Sequence, residues 1–144
     1  MDRLLTLLIG LMGGLAVGLQ GPIVSAMGQR IGAASGSLVV HIGGALLSAL
    51  LVATRGGENI ADWRGLPWYM LASGGFGLLL ILTLNHTIPQ LGAAPAIVLV
   101  IVGQLILGMV VDHFGWLGVI QRPIELSRLL AAGLLLVGAW LMVR

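Results

Sequence analysis

Five apolar runs, each long enough to cross a hydrocarbon core as a helix, constrain this chain more than any other feature. A core of about 30 Å needs about 20 helical residues. The runs fall near residues 4–20, 33–54, 66–84, 91–111 and 126–143, with arginine-bearing or glycine- and proline-bearing punctuation between them. A segment in lipid must satisfy its own backbone, so runs of this length read as helices rather than strands. The expected class is therefore all-α, a polytopic membrane protein of five transmembrane helices in a single domain over residues 1–144. Residues are 58% hydrophobic and only 8% charged, where a soluble domain carries about 25% charged residues, so an ordinary water-soluble fold is excluded. Asp2, Arg3, the first apolar run and Val24-Ser25-Ala26 have the outline of a cleaved leader. The net-neutral start and the equal apolarity of the next stretch of chain favour a retained span.

Arginines give an orientation. Arg3, Arg55, Arg64, Arg122 and Arg128 fall on the side of the N-terminus, and Arg30 and Arg144 on the other. Five against two places the N-terminus in the cytoplasm and the C-terminus outside. Trp63, Trp68, Tyr69 and Trp116 sit at the expected cytoplasmic boundary and Trp140 near the other, as interfacial anchors; Trp68 and Tyr69 are also candidates for ligand contact. So few charges give no nucleic-acid surface, and the absence of cysteine removes thiol chemistry.

The first run carries Gly10, Gly14 and Gly18 at intervals of four, one ridge without side chains along a helix. Small residues are where membrane helices approach, so this ridge and Gly133 and Gly138 of the last run are expected packing surfaces. The run ends in Gln20-Gly21-Pro22, with continuation toward Gln29 open because proline in a membrane helix kinks more often than it terminates. On the second run Ser37, His41, Gly44 and Ser48 share a narrow arc. Gln104, Gly108 and Asp112 repeat that spacing on the fourth. Asn85, His86 and Pro89 are expected to form a short outer turn.

Polar groups at membrane depth are costly and point by default to a site. Gln20, Ser37, His41, Ser48 and Gln104 are the candidate substrate contacts. Pro22, Asn85, Asp112 and His113 are candidate gate or helix-end residues. Each amide could instead be interhelical glue, worth about 0.6 to 2 kcal/mol. His41 is either an imidazole bonded to a carbonyl or a pH-sensitive element. No metal-ligand spacing, nucleophile elbow or phosphate loop is present, so neither an enzyme nor a metal or other cofactor is expected. No acidic residue lies inside an apolar run, which favours a neutral, zwitterionic or anionic ligand over a bare cation.

Leu19-Gln20-Gly21-Pro22-Ile23, Ile88-Pro89-Gln90-Leu91-Gly92-Ala93-Ala94, Gly103-Gln104, Asp112-His113-Phe114-Gly115, Arg122-Pro123 and Arg128-Leu129-Leu130 follow one another in an order that resembles the drug/metabolite transporter superfamily. The resemblance is to its short five-helix bacterial branch, often called YdcZ-like. Val24 and His41 depart from that pattern, which tends to asparagine and an aromatic residue there. The resemblance implies one half of a ten-helix inverted-repeat transporter in a bacterial inner membrane, exporting or exchanging a small polar metabolite by alternating access. Its partner would be a second copy in an antiparallel homodimer, or otherwise an opposite-topology paralogue. Two alternatives belong to other classes: a non-transporting assembly subunit, and a narrow dual-topology pore.

Overall fold

The structure, a computed structural model, describes residues 3–144. Among them, five helical segments are long and apolar enough to cross a membrane. Helix α1 spans Arg3–Ile31 and α2 spans Ala33–Thr54. The third segment, Trp68–Leu91, joins a short α3 at Trp68–Leu71 to α4 at Gly74–Leu91. Helix α5 spans Ala93–Phe114 and α6 spans Leu126–Val143. Short 3-10 turns at Ile60–Gly65 and Trp116–Gly118 lie in the two longer connections. The chain divides into two compact units, one running to His86 and the other beginning at Thr87.

Two expectations about helix ends are corrected. Helix α1 does not stop at Gln20 but continues through Pro22 for another nine residues to Ile31, the continuation that the sequence left open. Nor do Asn85, His86 and Pro89 form a turn, because α4 runs through all three to Leu91. The physical reason is the same in both places. Ending a helix strands up to four carbonyls, whereas an internal proline strands only that of the residue four positions earlier. In lipid the smaller loss prevails.

The turns lie instead at single glycines. Gly32 has φ 92 and ψ 143, and Gly92 has φ 87 and ψ 165, a region essentially reserved for glycine. At each, the glycine N–H donates back to the preceding helix, Gly32 to the Gly28 carbonyl and Gly92 to that of Ile88, both at 2.9 Å. Its own carbonyl then accepts from the next helix, from Gly36 N–H at 2.9 Å and from Ala96 N–H at 3.3 Å. The chain reverses while the corner's own polar groups stay bonded, which suits a turn close to hydrocarbon.

These corners are copies of one device. Ile31-Gly32-Ala33-Ala34 and Leu91-Gly92-Ala93-Ala94 lie sixty positions apart. The same offset pairs buried residues: Gly21 with Ile81, Val24 with Leu84, Ser25 with Asn85, and Gly36 with Ala96. A glycine corner between two spanning segments thus occurs twice along the chain, with buried positions at the same offset on either side of it.

In the first unit α1 and α2 meet closely at the corner, where a Cβ on Gly36 would stand 3.4 Å from the Gly28 nitrogen. In the second, α5 packs on α6, burying Val102 on the one and Ala132 and Ala139 on the other. Gly32→Ala and Gly92→Ala are each expected to destabilise the protein by about 1–3 kcal/mol. Gly10→Ala, in a helical position with nothing within 4 Å of the added carbon, is expected to stabilise the isolated chain by up to about 1 kcal/mol. Reversible unfolding of the purified variants in mixed micelles measures both signs.

Candidate functional site

In the first unit the Gln20 side chain lines a small cavity of ≈ 120 Å³ between α1 and α4. Gly21 from α1 and Gly77 from α4 also line it, with Val17, Val24, Leu80, Ile81 and Leu84 making the wall mostly apolar. On the α2 side of Gly77 stands His41. Its Nε2 is 2.9 Å from where a Cβ on residue 77 would be, so a side chain there would push the ring aside. Nδ1 of the same ring is 2.7 Å from the Ser37 carbonyl and 3.2 Å from the Ser37 hydroxyl. A carbonyl only accepts, so Nδ1 carries the proton and donates to it. The imidazole is thereby tied to its own helix and presents Nε2 to α4.

A second cluster in this unit is a lock rather than a site. Asn85 is buried, with its amide occupying the space that a side chain on Gly28 would fill. Its Nδ2 donates to the Ile81 carbonyl at 2.9 Å. Its Oδ1 has no conventional donor among the described residues and faces the Cα–H of Gly28, a weak contact of the kind seen where helices touch closely. The backbone carbonyl of Asn85 is the one that Pro89, four residues on, cannot serve. Gln29 of α1 serves it instead, its Nε2 donating at 3.3 Å. Asn85, expected at a gate or helix end, is thus an internal fastening of α4 to α1.

The second unit carries a larger cavity, ≈ 480 Å³, between α5 and α6. Gln104, Gly108 and Asp112 line it from α5, one turn apart, and Arg128 and Ala131 from α6. Arg128 Nη1 is 3.3 Å from Asp112 Oδ2, and the two side chains are 30% and 40% exposed. The connection from α5 to α6 folds back on the end of α5. Arg122 N–H donates to the Asp112 carbonyl at 2.8 Å, Gln121 Nε2 to the His113 carbonyl at 3.0 Å, and Ile124 N–H to His113 Nδ1 at 3.3 Å. Gly115 caps the helix with φ 62, and a Cβ there would meet Gln121 at 3.2 Å. Asp112 and His113 thus lie in the last turn of α5, where the returning connection bonds to both. Because α5 reaches Phe114, Asp112 also lies inside a spanning segment, in its last turn.

A protein family described as "Putative inner membrane exporter, YdcZ" matches residues 5–141, nearly the whole chain. The chain belongs to this family. It is a multi-pass inner-membrane protein of an exporter family, as the order of its glycine, glutamine and proline motifs implied. No curated protein and no solved structure matches it.

For this member of the YdcZ exporter family the candidate residues divide. Gln20 and Gln104 line separate cavities, and Asp112 joins Gln104 in the second. Ser37, expected to touch ligand, is buried with 1% exposure and instead holds His41. Ser48 and Gly44, on the same arc, are exposed, with nothing within 4 Å of a Cβ on Gly44. Trp68 and Tyr69 are exposed and meet edge to face at 6.4 Å. Gly10, Gly14, Gly18, Gly133 and Gly138 have open space where a Cβ would be.

Sequence reasoning does not single out Gln29, Gly28, Gly77 or Arg128 as site residues. Pro89 is the available signal for Gln29, since an internal proline implies an unserved carbonyl and hence a donor elsewhere. Gly28→Ala is expected to cost about 1–3 kcal/mol by forcing the Asn85 amide aside. In the Asn85→Ala background the same change is expected to cost little, so a double-mutant cycle on the unfolding free energies should show strong coupling.

Proposed function

We propose that this chain is one half of a secondary carrier: two copies, inserted antiparallel, make a ten-helix transporter that exports or exchanges a small polar metabolite by alternating access. Membership of an exporter family supports the transport role. The observation that carries the finer reading is the α5–α6 cavity, where an amide, a carboxylate and a guanidinium line one space within a spanning pair of helices. Polar groups in such a place have little packing value and are kept at a cost. Five helices enclose little by themselves, and the open faces at Gly10, Gly14 and Gly18 and at Gly133 and Gly138 are shaped for another backbone. Twofold pairing is the usual way to cover such a face.

In this reading the side bearing Arg3, Arg55, Arg64, Arg122 and Arg128 faces the cytoplasm. Gln20 and Gln104 contact the solute, and His41 against Gly77 forms a contact that shifts as α2 and α4 move. Reconstituted into proteoliposomes, the protein is expected to give saturable counterflow of its solute, which a pool of labelled metabolites can reveal. Flux that rises linearly without saturation would instead indicate a pore. Absence of any flux from folded protein would indicate an assembly subunit.

A further inference from the structure

We propose that the α5–α6 groove is a subsite for a zwitterion, a ligand carrying one ammonium and one carboxylate on an apolar chain; this rests on the carrier reading above and names its substrate class. Asp112 and Arg128 make one contact at 3.3 Å and both remain partly open, so neither charge is closed off by the other. A guanidinium offers five donors, and a carboxylate can accept at both oxygens. Each partner therefore keeps capacity for an incoming group of opposite sign.

The charge balance selects among ligands. The pair sums to zero, so a bare anion attracted to Arg128 also meets Asp112, and a bare cation attracted to Asp112 also meets Arg128. A zwitterion laid head to tail against the pair answers both charges, and leaves none unpaired in a region of low dielectric. Asp112 is held ready, because the Arg122 N–H fixes its carbonyl and the returning connection braces the helix end.

The rest of the groove fits the remainder of such a molecule. Gly108, where a Cβ would meet nothing within 4 Å, leaves an unobstructed floor one turn below the pair. Ile101, Leu105 and Met109 give apolar walls. Gln104 lies eight residues from Asp112, about 12 Å along the helix, and has no hydrogen-bond partner among the described residues. The volume, ≈ 480 Å³, falls in the range of about 300–1,000 Å³ typical of small-molecule sites.

Three probes on one carbon skeleton test this: L-norleucine, hexanoate, which lacks its ammonium, and pentylamine, which lacks its carboxylate. Binding to the purified full chain is read by calorimetry and by thermal stabilisation. Norleucine is expected to bind about tenfold or more tightly than either truncated probe. Arg128→Gln should shift the preference toward pentylamine and Asp112→Asn toward hexanoate, opposite changes that general loss of folding would not produce. Equal binding of all three by the native protein, or no norleucine binding at millimolar concentration, would overturn the subsite without recourse to any variant. Counterflow in proteoliposomes separates this from the carrier reading. Norleucine binding with no saturable flux would overturn the carrier and leave the subsite. Saturable flux of another solute, with the three probes not discriminated, would do the reverse.

Discussion

Hydrocarbon supplies no hydrogen bonds, and this chain is shaped throughout by having to satisfy every backbone group without water. The glycine corners at Gly32 and Gly92 are one solution, since each passes the helical hydrogen-bond ladder from one span to the next through a single residue. The interior prolines are the complementary problem. Pro89 strands the Asn85 carbonyl, and the Gln29 amide of α1 reaches across to serve it. A defect in one helix thereby becomes a tie to another.

That constraint also sorts the polar side chains. The Asn85 and Gln29 side chains are occupied with backbone groups and that of Ser37 with the His41 ring, and Asn85 and Ser37 are buried. Gln20, Gln104, Asp112 and Arg128 line cavities instead. Polarity inside the membrane is thus used twice, for fastening helices near the corners and for lining space elsewhere. His41 belongs partly to each class, with one ring nitrogen bonded to Ser37 and the other turned toward Gly77.

Much of the architecture is legible in the sequence. Apolar runs of spanning length give five helices, because run length and backbone satisfaction leave few alternatives. The ends are less legible, since Pro22 and Asn85-His86-Pro89 carry the local chemistry of a turn and lose to the larger cost of ending a helix in lipid. The true corner is written in the sequence twice, as Gly-Ala-Ala at 32–34 and 92–94, and the sixty-residue repeat is visible once the two are aligned. At the candidate site, spacing puts Gln104 and Asp112 on one face, and the α5–α6 cavity has both. Spacing cannot supply Arg128, which comes from a different helix, nor tell that Ser37 faces inward, because periodicity gives a face and not what covers it.

Open space at Gln104 and buried fastening at Asn85 are the two halves of this division, and they can be told apart chemically. Since the chain has no native cysteine, one cysteine at a time can be placed and its reaction with a small membrane-impermeant thiol reagent measured in intact membranes. The account predicts rapid modification of Gln104→Cys, slowed by a ligand that occupies the groove, and negligible modification of Asn85→Cys in folded protein. Equal protection at both positions, or faster reaction at Asn85→Cys, would contradict it.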